Sequence, residues 1–140
     1  MYESLADFEK ALQWLIQKNA PSADFLVYLD FEHTSRRTGH FSFVLEYWDG
    51  SILFAKAQAE LLPQGEVSLT YYRFQYQLDG KTIFRYDDAP HFPHHHTFPH
   101  HKQIGEHEVA YPCYAPTIEE VLQEIEAILA SEVPGVPTVI

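Results

Sequence analysis

The sequence predicts an α+β fold: a single curved antiparallel sheet, a meander of about five or six strands, with N- and C-terminal helices packed on one face. Three observations carry this reading. Apolar residues recur at helical spacing near both ends of the chain and alternate in twos between 24 and 87. Two Asp-Gly pairs, Asp49-Gly50 and Asp79-Gly80, separate strand-like runs. Aromatic residues make up 15% of the chain, which favours sheets and large contact surfaces. The 140 residues suit one domain with a core over about 4–130 and a Pro/Gly-containing tail over 131–140.

The first helix is expected over 4–18, where Leu5, Phe8, Leu12, Leu15 and Ile16 form a stripe. Ser4 is its candidate cap, Asp7 stands three residues on, and Pro21 limits its extension. Phe25, Val27, Leu29 and Phe31 then alternate with Leu26, Tyr28, Asp30 and Glu32. A polar turn over Thr34 to Gly39 leads to a strand from Phe41 to Trp48. Beyond Asp49-Gly50, the run from Ser51 to about Glu60 reads as its hairpin partner, although 55–62 (AKAQAELL) has helical composition.

Pro63 to Gly65 makes another turn. Val67 to Leu78 then pairs with Lys81 to Asp87 through Asp79-Gly80, where a type I′ turn needs positive φ at both central positions. Alternation places Tyr72, Phe74, Tyr76 and Leu78 on one face, and Tyr71, Arg73, Gln75 and Gln77 on a wet one. Arg85 alternates with Phe84 and Tyr86, and Arg73 and Arg85 share a face if the register allows. Residues 88–116 lack periodicity but hold five prolines and seven of the nine histidines, the pattern of a functional or disordered loop. Phe92 and Phe98, each before a proline, are its expected anchors. A second helix is expected over 117–130, with Thr117 and Glu120 as a capping box and Ile118, Val121, Leu122, Ile125 and Leu129 as its stripe.

Composition narrows the function. One cysteine, Cys113, excludes an intramolecular disulfide and a two-cysteine zinc site, and it has no partner spacing that marks a catalytic thiol. No apolar run approaches membrane-spanning length, and MYESLADFEK lacks the features of a signal peptide, so a cytoplasmic protein is expected. The formal charge of −11 argues against non-specific nucleic-acid binding while leaving room for a local basic site. Full protonation of the histidines would bring it to about −2, so the surface field is steeply pH-dependent.

The chemistry concentrates in residues 85–102, where a guanidinium, two carboxylates, six imidazoles and an ammonium follow the end of a strand. Three readings compete. In the first, His91, His100 and His101, with Asp87 in the same catalytic set, supply acid–base chemistry at a phosphodiester while Arg85 and Lys102 neutralise its oxygens, with no metal or other cofactor. In the second, imidazoles with Asp87 or Asp88 hold a metal, without any recognised ligand spacing. In the third, the histidine run 94–96 is a solvated loop, and Arg85 and Asp87 form only a surface ion pair. Arg73 and Tyr86 are the expected substrate-binding residues beside this stretch. His33 and His40 read as hairpin-tip decoration and Trp14 as packing.

RYDDAPHFPHHHTFPHHK, preceded by YRFQYQLDGKTIF, resembles the signature of TumE-type proteins of bacterial toxin–antitoxin modules. Those sequences read as a Tyr-rich strand, an Asp-Gly turn, an FRYDNAPH…FPHHKH core and a closing acidic helix. The likeness covers about 24–130 and falls on Arg85, Tyr86, Asp87, Ala89, Pro90, His91, Phe98, Pro99, His100, His101 and Lys102. Asp88 stands where the family usually has asparagine, and Gln103 where it often has another histidine. The resemblance implies a small toxin held in check by a cognate antitoxin, usually a DNA-binding protein encoded beside it. Many toxins of this size cleave RNA, so an RNA substrate agrees with the first reading. A non-catalytic module whose histidine loop binds a metal ion or partner protein is the alternative, and a homodimer is left open.

Overall fold

A computed structural model describes residues 1–90, 95, 97–105 and 109–131. The helix α1 (Leu5–Asn19) precedes β1 (Ala23–His33), β2 (Thr38–Tyr47), β3 (Ile52–Leu61), β4 (Val67–Leu78), β5 (Lys81–Asp87), β6 (His101–Ile104) and β7 (Val109–Pro112), and α2 (Ile118–Ser131) follows. The strands form one antiparallel sheet in chain order. The expected fold class holds, with seven strands rather than five or six. The added pair, β6 and β7, lies inside the stretch that looked aperiodic. Each has four residues, and the buried positions His101 and Gln103 of β6 are polar, so no hydrophobic alternation marks it.

Both helices pack on one sheet face. Leu5, Phe8, Leu12 and Ile16 of α1 and the apolar stripe of α2 meet Phe41, Phe43, Leu53, Phe74, Tyr76 and Phe84 in a common core. The stretch 55–62 is strand despite its helical composition, because Ala55, Ala57 and Ala59 face this core. Sheet pairing on both sides of β3 outweighs a weak local propensity, and small side chains make room for the helices.

The caps are those expected. Ser4 Oγ accepts from the Asp7 N–H at 3.1 Å. Thr117 and Glu120 exchange side-chain and backbone bonds at 3.0 and 3.1 Å. The two Asp-Gly turns differ. Asp79 and Gly80 have φ of 53° and 75°, as a type I′ turn requires, whereas in the first hairpin only Gly50 is left-handed. Asp49 there uses its carboxylate instead, accepting from the Ser51 N–H and hydroxyl.

Among the described residues, the other sheet face carries no helix. Across it, register aligns Asp30, Ser42, Lys56, Arg73, Asp87 and His101 in one row over β1 to β6. The adjacent row runs Tyr28, Val44, Phe54, Gln75, Arg85 and Gln103.

Candidate functional site

The alternation of β5 and β6 sorts the polar motif residues onto opposite faces. Arg85, Asp87 and His101 point to the open face with Arg73, as the shared-face reading expects. Asp87 is their hub and is 5% exposed. Its Oδ2 accepts from Arg85 Nε at 3.1 Å, and its Oδ1 accepts from the Ala89 N–H at 3.0 Å and lies 2.8 Å from His101 Nε2. His101 Nδ1 faces the Pro99 carbonyl oxygen at 3.2 Å. Both nitrogens thus face oxygen atoms. The ring is 1% exposed, so it orients Asp87 rather than meeting a ligand. Arg85 is gripped through Nε, which leaves its terminal nitrogens for the cleft it lines.

That cleft, of about 630 Å³, is bordered by Lys56, Tyr71, Arg73, Arg85, Phe98 and Pro99 among others. Ala89, Pro90, Phe98 and Pro99 of the loop thus border the face bearing Arg73 and Arg85. A turn closed by the His100 N–H on the Thr97 carbonyl, at 2.9 Å, places Phe98 and Pro99 there. Phe92 and His91, along with His94 and His96, lie outside the described residues.

Lys56 and Arg73 are direct partners across β3 and β4. Among the described residues, neither has a carboxylate at ion-pair distance. Like charges directly opposite destabilise a sheet, so this pair is a cost that an anion would offset.

Tyr71 borders the same cleft with φ of 48°, a left-handed backbone that a bulky side chain rarely adopts. It belongs to a bulge in which Tyr71 and Tyr72 together oppose Ala57. The bulge resets the alternation so that Leu69 and Tyr72 both face the helices. Asp88 Oδ2 holds the Tyr71 N–H at 2.8 Å.

The remaining motif residues stand elsewhere. Tyr86 and Lys102 are on the helix side, where Tyr86 Oη donates to Glu124 Oε1 and Lys102 Nζ to Glu124 Oε2, each at 2.6 Å. Lys102 also lies 4.8 Å from the Tyr86 ring centre. Burial, then the Glu124 hydrogen bond, pushes the Tyr86 hydroxyl well above the ordinary phenol range. These contacts latch α2 to the sheet. His100 stacks on Tyr72 with its Nδ1 2.8 Å from Tyr72 Oη, a hydroxyl also raised, chiefly by burial. Tyr72 borders the cleft. Cys113 is half-buried, and burial raises its thiol most, with Lys102 pulling the other way.

The family model described as Toxin TumE matches residues 15–129, a span containing every strand, the C-terminal end of α1 and most of α2. The chain belongs to the TumE toxin family. Curated proteins and solved structures gave no match. A TumE-family toxin is the toxin component of a toxin–antitoxin system and implies an antitoxin partner. Among the described residues no helix is long and apolar enough to cross a membrane, and no three His, Cys, Asp or Glu side chains group to hold a metal ion. Two residues bordering the TumE-family cleft, Lys56 and Tyr71, escaped the sequence reading as site residues. The available signals were Lys56 as the lone cation of an alanine-rich strand and the Tyr71-Tyr72 doublet that interrupts alternation.

Proposed function

We propose that this TumE-family toxin is a metal-independent ribonuclease acting on cytoplasmic RNA. The observation that carries the reading is the convergence of Lys56, Arg73 and Arg85, from three adjacent strands, on one cleft of a chain with formal charge −11. So acidic a protein gains little from non-specific attraction to RNA, and a local cationic cleft supplies the attraction where it is used. These side chains would bind the phosphate and neutralise charge growing on its non-bridging oxygens.

The RNA 2′-hydroxyl attacks its neighbouring phosphorus, the bond from phosphorus to the 5′-oxygen breaks, and a 2′,3′-cyclic phosphate and a 5′-hydroxyl result. A base takes the 2′-hydroxyl proton and an acid protonates the departing oxygen. His100, paired with cleft-bordering Tyr72, is the described imidazole best placed for one role. His91 follows the cleft residue Pro90 in sequence and is assigned the other. Asp87 and His101 are positioning residues that fix Arg85. Lys102 and Tyr86 support the site through α2.

The test is purified toxin with end-labelled RNA in the presence of a chelator, alongside expression of variants without antitoxin. Wild type should leave cyclic-phosphate ends. His100→Ala should lose roughly 10²–10⁴-fold in rate. Arg85→Ala should abolish growth inhibition, and His33→Ala should not. Intact RNA in the presence of fully toxic wild-type protein would sink the ribonuclease reading, as would well-folded Arg85→Ala and His100→Ala variants as toxic as wild type.

A further inference from the structure

We infer that the uncovered sheet face is a stacking platform for single-stranded RNA, with bases laid on Tyr28 and Phe54 and the backbone led to Lys56, Arg73 and Arg85. This names the substrate form for the ribonuclease reading and rests on it.

The cleft does not end at Lys56. A depression of about 240 Å³ bordered by Tyr28, Phe54, Lys56, Arg73 and Gln75 continues it toward β1. Another, of about 480 Å³, joins at Lys56 and Tyr71. Lys56 borders all three hollows, so they adjoin one another across the sheet and we read them as one trough. Register gives its direction: Tyr28, Val44, Phe54, Gln75 and Arg85 are successive cross-strand neighbours from β1 to β5. Four strand spacings of ~4.8 Å make this path about 19 Å long, enough for a few extended nucleotides.

Its two ends differ in chemistry. The cations sit on β3 to β5. Toward β1 the trough offers aromatic rings, Tyr28 at 45% and Phe54 at 41% exposure. Phe25, on the same face, is 62% exposed. Asp30 and Glu32 border the third hollow and would repel a phosphate there, which leaves the β1 end to bases. Exposed aromatics beside a cationic track are the arrangement that binds unpaired strands without reading sequence, because every base has a stacking face and a duplex hides it. Lys56 and Arg73, which among the described residues have no carboxylate at ion-pair distance, flank the rings and favour RNA over an apolar protein segment as the occupant.

The experiment measures fluorescence anisotropy of a labelled 2′-O-methyl oligonucleotide, which lacks the attacking hydroxyl, single-stranded and as a duplex, with full-length toxin free of antitoxin. The single strand should bind at least tenfold tighter than the duplex. Phe54→Leu and Tyr28→Leu should each weaken it roughly five- to hundred-fold, whereas Phe54→Trp should retain binding. Lys56→Ala and Arg73→Ala should flatten the salt dependence, and Phe54→Leu should not. Equal binding of strand and duplex would overturn the platform. So would wild-type affinity in well-folded Phe54→Leu and Tyr28→Leu proteins, or leucine variants that lose only antitoxin binding, which would assign the face to the protein partner. In those cases RNA cleavage that still depends on Arg85 leaves the ribonuclease reading standing. A wild type that neither binds nor cleaves RNA removes both.

Discussion

Asp87 shows how much a single carboxylate can organise. Buried, it faces the Arg85 guanidinium, the His101 ring and a backbone N–H. Removing one partner of a buried ion pair leaves the others uncompensated, so Asp87→Ala should cost about 3 kcal/mol in a denaturant titration. Asp87→Asn, which keeps shape and loses charge, should cost less while still reducing toxicity. Cys113 gives a pH test. Its thiol is raised by burial, so at pH 8 less of it is thiolate than in an ordinary cysteine. Alkylation of the folded protein should be slower than that of a free thiol at that pH, and should keep accelerating at pH values where the free thiol has levelled off. A rate equal to that of free cysteine across the range would contradict the buried setting. At this scale the sequence was partly legible. Arg85 and Asp87 lie two apart on one strand, so their shared face could be read directly, while the union with His101 needed β6, which no periodicity announced.

The elements divide into those set by local chemistry and those set by partners. The caps of both helices were readable because capping residues act within one turn. Thr117→Ala should lower stability by ~1 kcal/mol, seen as a shifted melting midpoint. By contrast β3 is a strand only because β2 and β4 flank it, and its alanines fit beneath the helices. Ala57→Leu should cost ~1–3 kcal/mol by overfilling that space, detectable by the same melt. The β4 bulge carries the reverse expectation. Tyr71 holds a backbone suited to glycine, so Tyr71→Gly should melt at or above wild type, and Tyr71→Val should melt below it. A toxin made no less stable and weaker on RNA by Tyr71→Gly would mark the strained tyrosine as kept for binding. The bulge left one trace in the sequence, the Tyr71-Tyr72 doublet, but one extra residue in a strand leaves the composition unchanged and does not announce its backbone.

For the molecule as a whole, alternation and two Asp-Gly turns were enough to read a meander with both helices on one side. They also marked a wet face through Arg73, Gln75 and Gln77, but they could not say what holds α2 against its own side. Glu126 answers part of this: its carboxylate accepts from the Ser22 N–H at 3.1 Å and the Ser22 hydroxyl at 2.6 Å, fixing α2 beside the entry to β1. With Glu124 on Tyr86 and Lys102, α2 is fastened toward both sides of the sheet. Glu124→Ala should therefore loosen the attachment of α2 to β5 and β6, and hydrogen exchange should register faster exchange in α2 with little change in α1. Uniform acceleration in both helices would argue against a local latch.

The pairing of β5 with β6 has one more consequence, as a safeguard on assembly. Consecutive residues of each strand serve different sides: Asp87 and His101 the open face, Tyr86 and Lys102 the helix. A slip of β6 by one position would carry the imidazole inward and the ammonium outward together. The clasp on Arg85 and the fastening of α2 would then fail in the same error. A chain caught in the wrong alignment would thereby lose its grip on Arg85 and its hold on α2 in a single step, so the correct seating of one short strand certifies both sides of the sheet.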